Sequence, residues 1–463
     1  LMAFEPSDPP RPPRRPGTLE RNPAPGRGPG GLLREDFRQQ APTVTLPKGG
    51  GAIGGIGEKF SASPVTGTAS LSVPLPLSEG RQGVTPALGL SYDSGGGNGP
   101  FGLGWRLTVP SIRCKTDKGL PRYLSTDVFV LSDAEDLVPL REEVEGQWVP
   151  ASRTATLDDE GYTVDRFRPR VEGGFAHIER WRRNSDRRTF WRTNSRDNGV
   201  RLYGRSDNAR VVDPAEPRRV FEWLLEEERD ERGNVISYQY LAEDGLGLES
   251  HPAEKRRSAV YRYLKRVSYG NTVMGQNPDA AGGEGQFRFH LVFDYGDHDE
   301  DDPTLAPQQI WPGRADPFST FRSRFDIRCR RLCRRALMFH SFAQIRVDEE
   351  DAPLASVVRA LRFRYDERPT VTTLAGVQVQ GWTWTGDGYE RASLPEARFS
   401  YAEPTIDPTI RPVTGLDELP LGLDMRAWQF VDLDGEGLTG LLSGQGKLWS
   451  YKRNEGQGAF ALA

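Results

Sequence analysis

Gly49, Gly51 and Gly54 stand in the order G-x-G-x-x-G, the spacing at which a tight turn offers backbone N–H groups to a pyrophosphate. That chemistry needs a strand before the glycines and a helix after them. Pro42 and Pro47 precede them and SASPVTGT soon follows, so close backbone packing is the better reason for glycine here. Asp432 and Asp434 alternate in the glycine turn DLDGEG, an arrangement of hard oxygen donors that could suit calcium. An EF-hand would place Glu at position 443, which is Ser, so a turn without metal is expected. The run from Asp297 to Asp302, DHDEDD, is the densest acidic stretch. It ends at Pro303 after a predicted strand, and a solvated loop is the expected reading.

Cys329 and Cys333, with His340 downstream, offer soft ligands. Structural zinc takes four, and no fourth is evident. An even separation would put both thiols on one face of a regular strand, as core side chains. The histidines at 177, 251, 290, 298 and 340 are scattered without partners. The basic and aromatic stretch 177–198, HIERWRRNSDRRTFWRTNSRDN, has the residue types that bind single-stranded nucleic acid. Its interspersed Glu and Asp argue instead for a sheet surface on which Arg stacks on Trp181 and Trp191. No G-x-S-x-G, H-E-x-x-H or Walker pattern occurs. The expectation is therefore no catalytic residue, no cofactor site and no metal ligand.

The elements that hold these residues are short strands. Of 463 residues, 51 are Gly and 36 Pro, and aromatics make up 10%. Gly supplies positive φ and Pro presets turns, which suits many tight turns better than long helices. A net charge of −4 with 27% charged residues predicts no polyanion binding. Three cysteines, Cys114, Cys329 and Cys333, make no disulfide framework and point to folding in a reducing compartment. No apolar run reaches 18 residues, so no transmembrane helix is expected. Leu1 to Pro16 has no apolar core of the Sec type. The absent Met and abrupt stop at Ala463 suggest a fragment.

Residues 1–43 are rich in Pro, Gly and Arg and read as a disordered leader, with one helical turn conceivable at Leu32 to Phe37. From 44 the pattern becomes strands. Thr68 to Val73, Ala87 to Tyr92 and Trp105 to Val109 are predicted, with Asn98-Gly99 as a hairpin signal and Phe101 and Trp105 capping the core. DVFVLS (127–132) and a strand ending at Trp148 should pair. The clearest hairpin runs from Val220 to Glu227, turns through Asp230 to Asn234, and returns from Val235 to Leu241. YRYLKRVSYGN, FRFHLVFDYGD, ASVVRALRFRYD and ARFSYAE are further strands. Together they predict a large all-β sheet or barrel over 44–415. In 416–463, AWQFVDLDGEGLTGLLSGQGKLWSYKRNEG reads as one truncated propeller blade.

LPKGGGAIGGIGEKFSASPVTGTASLSVPLPLSEGR, LSYDSGGGNGPFGLGWRLTVPSI, KTDKGLPRY and SDAEDLVPL resemble the N-terminal region of the SpvB family. YLKRVSYGN, VFDYGDHD, RRLCRRALMFH and VDLDGEGLTGLL are similar to its continuation in Tc-toxin B components. The likeness spans roughly 44–463. DERGNVISYQY (230–240) is similar to the YD repeat, whose physical content is a hairpin. The resemblance implies an RHS-like β-shell segment followed by the first blade of an FG-GAP-like propeller. The shell would be completed by a C component and enclose its cytotoxic part. The propeller would dock on a pentameric A component, the membrane channel. This chain would touch no nucleic acid and insert in no membrane. It would be made in the bacterial cytoplasm and act outside the cell.

The alternative is the delivery region of an SpvB-like ADP-ribosyltransferase, with catalysis in sequence beyond Ala463. Glu143-Val144-Glu145 imitates the transferase E-x-E. No Ser-Thr-Ser strand precedes it, and 65 acidic residues make the spacing common. A glycan-binding propeller is a third reading, opposed by the single blade.

Overall fold

A computed structural model describes residues 59–62, 68–132, 136–171, 174–248, 257–274, 287–348, 352–402, 408–410, 413–415, 428–433, 438–445, 448–456 and 458–461, together with Glu254. The chain divides into two units, Leu1–Ile53 and Gly54–Ala463. All described residues belong to the second. The Gly49–Gly54 motif, the turn expected at Leu32 to Phe37, His251 and residues 434–437 lie outside the description.

The described chain is nearly all β, and its largest sheet joins 18 strands. Part of that sheet closes on itself. Ser111–Cys114 pairs with Phe129–Leu131, which pairs with Asp136–Pro139. That strand pairs with the end of Glu160–Pro169, whose other edge carries His177–Arg183. Thr189–Asn194 and Val200–Tyr203 follow, then Glu216–Arg229, which returns to Ser111–Cys114. Every pairing in this ring is antiparallel. A ring of about eight strands leaves room inside for side chains alone. Phe129 meets Trp191 and Trp223 at ring-centroid distances of 5.1 and 5.7 Å, and Phe167 meets Trp191 at 4.9 Å. The strands of Phe129 and Trp191 are not neighbours, so these rings touch across the interior. Trp191 is 0% exposed.

The Asp230 hairpin is where the ring opens into the rest of the sheet. Its turn is held by the Asp230 carboxylate, which accepts from the backbone N–H groups of Arg232 and Asn234. The arms pair only at Glu227–Arg229 with Val235–Ser237. Farther along, the same edge of Glu216–Arg229 is taken by Ser111–Cys114 at Glu222–Leu224. The expected full-length hairpin is thus split after three rungs, because another strand competes for that edge. Tyr240 still donates to the Leu225 carbonyl at 2.7 Å. Val235–Ala242 then continues through Arg262–Asn271, Phe287–Asp294, Arg335–Ser341, Ala355–Glu367 and Thr372–Trp384, neighbour to neighbour and antiparallel. These central strands are buried along much of their length, as a sheet covered on both faces must be.

Two smaller predictions need correcting. Phe129–Leu131 pairs within the ring, whereas Trp148 lies on Gln147–Pro150, which pairs with Arg141–Val144 as a separate hairpin. Asn98-Gly99 is not a two-residue turn: Gly89–Asp93 and Trp105–Leu107 pair across a longer loop. Asn98 points its amide into the fold, donating to Asp316 at 2.9 Å and accepting from Arg314 at 3.0 Å. In that loop Gly104 sits at φ +77, where an added Cβ would lie 2.5 Å from Tyr92. Both the conformation and the space require glycine. Phe101 and Trp105 are buried, as expected. In the C-terminal segment, Trp428–Val431, Gly440–Gln445 and Leu448–Lys452 form a three-stranded antiparallel sheet.

Candidate functional site

The densest polar cluster is a buried seam built on the segment Ile327–Arg335. Its sequence, IRCRRLCRR, alternates thiols and aliphatics with arginines. Its buried arginines find carboxylates delivered by other parts of the chain. Arg328 makes a two-point contact with Glu254, at 2.7 and 2.6 Å, and Arg330 reaches the same carboxylate at 3.0 Å. Arg331 binds Glu243 through Nε at 3.0 Å, donates to the Trp311 carbonyl at 2.8 Å, and lies 4.5 Å above the Trp311 ring. Both the Arg331 and Glu243 side chains are fully buried. Arg335 holds Asp294 at 2.6 Å and donates to the Asp299 carbonyl at 2.8 Å.

Arg314 completes the seam from a neighbouring loop. It donates to Asp316 at 2.9 Å and to the Gly99 carbonyl at 2.8 Å. Asp316 in turn accepts from the Thr372 backbone N–H at 2.7 Å. Burial pushes the Asp316 carboxyl up, but hydrogen bonds from Arg314 and Thr372 outweigh it and hold it below its ordinary value. Asp294 behaves the same way, with Arg335 overcoming the cost of burial. Hydrogen bonds from Arg328 hold Glu254 low. The planar guanidinium fork suits such two-point contacts.

The acidic run 297–302 feeds this seam, which corrects the expectation of a solvated loop. Asp297 and His298 are buried, and Asp297 grips Lys265 at 2.7 Å. Only Asp299 to Asp302 are exposed. The thiols of Cys329 and Cys333 are buried, and burial raises both above the ordinary thiol range. Cys329 lies on the strand Ile327–Cys329 but Cys333 lies beyond it, so they do not share one regular strand face. His340 is elsewhere, bonded to Ser78 at 2.7 Å. His290 bonds Ser268 at 2.9 Å. Among the described residues no group of three or more His, Cys, Asp or Glu side chains is placed to hold a metal ion.

Of the remaining candidates, Glu143 and Glu145 lie on the exposed Arg141–Pro150 hairpin. Trp181 and Trp191 divide between two faces. Arg153 stacks 5.4 Å from Trp181. Arg180 points into the ring, 5.2 Å from Phe129 and 5.9 Å from Trp191, and pairs with Asp165 at 2.8 Å. The surface expected for Trp191 is therefore the inside of the ring. The sequence signal for this was the two-residue spacing of Ile178, Arg180 and Arg182, which share a face. No sequence signal announced Glu243 or Glu254 as seam partners.

The arrangement binds strands to one another through buried ion pairs. Fold and seam thus define an all-β region tied together by buried ion pairs. Residues 63–342 match the family described as Salmonella virulence plasmid 65kDa B protein, and the chain belongs to that family. It is 38% identical over 360 residues to mono(ADP-ribosyl)transferase SpvB of Salmonella typhimurium (strain 14028s / SGSC 2262), covering 75% of this chain and 58% of that protein. The chain therefore spans little more than half the length of such relatives. The structure of the N-terminal domain of effector protein SpvB from Salmonella typhimurium strain LT2 is similar at TM-score 0.60 and 36% identity, covering 66% of this chain and 97% of that one. The crystal structure of TcdB2-TccC3 is similar at TM-score 0.72 and 36% identity, covering 89% of this chain and 20% of that one. The region corresponds to the SpvB N-terminal domain and to part of a Tc-toxin complex.

Proposed function

We propose that this chain is a non-enzymatic wall segment of a toxin complex of the Tc B-component type. In this reading 44–415 forms part of a β-shell around a cytotoxic cargo carried by a C component. Residues 416–463 open the propeller that docks on an A-component channel, and 1–43 is a leader. The complex works outside the bacterium. The observation that carries the reading is the fit of 89% of the chain, at TM-score 0.72, to one fifth of TcdB2-TccC3. The continuous antiparallel sheet supports it, since paired strands leave few open backbone groups in a wall. Co-expression with the remainder of a B component and a C component should give a particle that shields the cargo from protease. Cargo digested as fast with the chain as without it would overturn the proposal.

A second reading is favoured by the 38% identity to mono(ADP-ribosyl)transferases. There the same region is the inert delivery part ahead of a catalytic domain. The coding sequence after Ala463 decides between them. Further YD hairpins support the shell, and an Arg, Ser-Thr-Ser and E-x-E series supports the transferase.

A further inference from the structure

Two loops outside the seam carry cations that make no side-chain ion pair among the described residues. Residues 117–128 and 319–324 are joined by the Tyr123 hydroxyl, which donates to the Ser323 carbonyl at 2.5 Å. Between them lies a cleft of about 410 Å³ lined by Lys115, Lys118, Arg122, Arg170 and Arg324. Its acidic residues are already engaged. Asp136 binds Lys115 and Arg170, and Asp117 binds Lys115. Asp127 accepts from the backbone N–H groups of Arg122, Tyr123 and Leu124. Lys118, Arg122, Arg322 and Arg324 are exposed and make no side-chain ion pair among the described residues.

The same loops carry exposed apolar side chains. Leu120 is 50% exposed, Leu124 59% and Phe321 55%. In a chain of net charge −4, unpaired cations and bare apolar tips on two loops joined by the Tyr123 hydrogen bond call for an anionic, partly apolar partner. We propose that this face docks peripherally on an anionic phospholipid surface, with Lys118, Arg122, Arg322 and Arg324 at the headgroups and Leu120, Leu124 and Phe321 among the upper acyl carbons. Charge complementarity argues for the anionic surface. The apolar residues argue for lipid over an acidic protein: they sit singly on loops, which a bilayer interface accepts without matching pockets. The proposal goes beyond the wall function and does not depend on it.

The test is sedimentation of the full 463-residue chain with vesicles of phosphatidylserine in phosphatidylcholine, and with phosphatidylcholine alone. The chain should bind the first and not the second, and rising salt should release it. Each cation contributes roughly fivefold to partitioning near such a surface. Lys118→Glu with Arg122→Glu, Arg322→Glu and Arg324→Glu should therefore lower binding at least about a hundredfold. Leu120→Ala with Leu124→Ala and Phe321→Ala should weaken binding while leaving its salt dependence in place. Near-UV circular dichroism establishes that each variant is folded. Should the charge variant misfold, Arg322→Gln alone should still weaken binding severalfold. Failure of the wild-type chain to bind phosphatidylserine vesicles at low salt overturns the proposal. So does a folded charge variant that binds as well as wild type. Binding of polyglutamate in place of vesicles, untouched by the apolar substitutions, would show an acidic-protein site and equally overturn it.

Discussion

Two stretches of this chain hold many arginines, five in Arg328–Arg335 and seven in 177–198, and the fold uses them differently. In Arg328–Arg335 the guanidinium groups of Arg328, Arg330, Arg331 and Arg335 are nearly or fully buried, each against a carboxylate from another segment. In 177–198 the strands belong to the ring, and side chains alternate between its inside and its outside. Arg180 goes in, while Arg183 and Arg188 pair on the surface with Asp186. The difference teaches that the number of arginines says little about what they contribute. A buried pair costs much to break, because the partner left behind is a charge out of water. An exposed pair is screened and contributes little.

That comparison can be broken most directly at Glu243. Glu243→Ala leaves the buried Arg331 with only the more exposed Asp244 carboxylate, 3.4 Å away, and should destabilise the chain by about 3–5 kcal/mol, read as a lowered urea midpoint. Replacing both partners, as Glu243→Leu with Arg331→Met, should recover most of that loss. A double variant as unstable as the single one would mean that the seam contributes more than compensated charge. Inside the ring, Trp191→Ala removes a fully buried indole and should cost about 3–5 kcal/mol.

Acid tests the buried groups separately, beginning with a histidine. Burial, helped by Arg266, lowers His290 from 6.5 to about 3. Between those values the unfolded chain binds a proton that the folded chain does not. Stability therefore rises with pH across this window and is lost as pH falls from about 6.5 toward 3. The lowered carboxyls of Asp294, Asp316 and Glu254 add a loss once pH falls through their ordinary range near 4. Urea midpoints measured from pH 7 to 4 should decline, and His290→Asn should flatten the upper part of that decline. The smallest effect belongs to the exterior. Arg153→Ala, which loses an exposed stack on Trp181 and a 3.0 Å pair with Glu179, should cost less than about 1 kcal/mol. A loss as large as that at Glu243 would erase the distinction between the two regions.

Much of the architecture was legible in local pattern. Arg262–Asn271, Phe287–Asp294 and Ala355–Glu367 fall where apolar runs between turn residues put them. The Asp230 turn and the burial of Phe101 and Trp105 were legible for the same reason: turn chemistry and residue size act locally. The pairing of Phe129–Leu131 was not, because the four-residue strand Asp136–Pro139 that intervenes carries little periodic signal. Nor was the early splitting of the Asp230 hairpin, since the competing strand is over a hundred residues away.

The sequence by itself determined an all-β chain, the places of most strands and the family they belong to. It also determined that the cysteines form no disulfide framework. Tertiary structure alone decided which edge each strand occupies, and so the closure of the ring. It also decided that Asp297 and His298 go inside, and that Glu243 and Glu254 answer Arg331 and Arg328. The physical reason is range. Turn geometry and strand periodicity are set by neighbouring residues, whereas a buried charge is tolerable only when the whole fold brings its partner within about 3 Å.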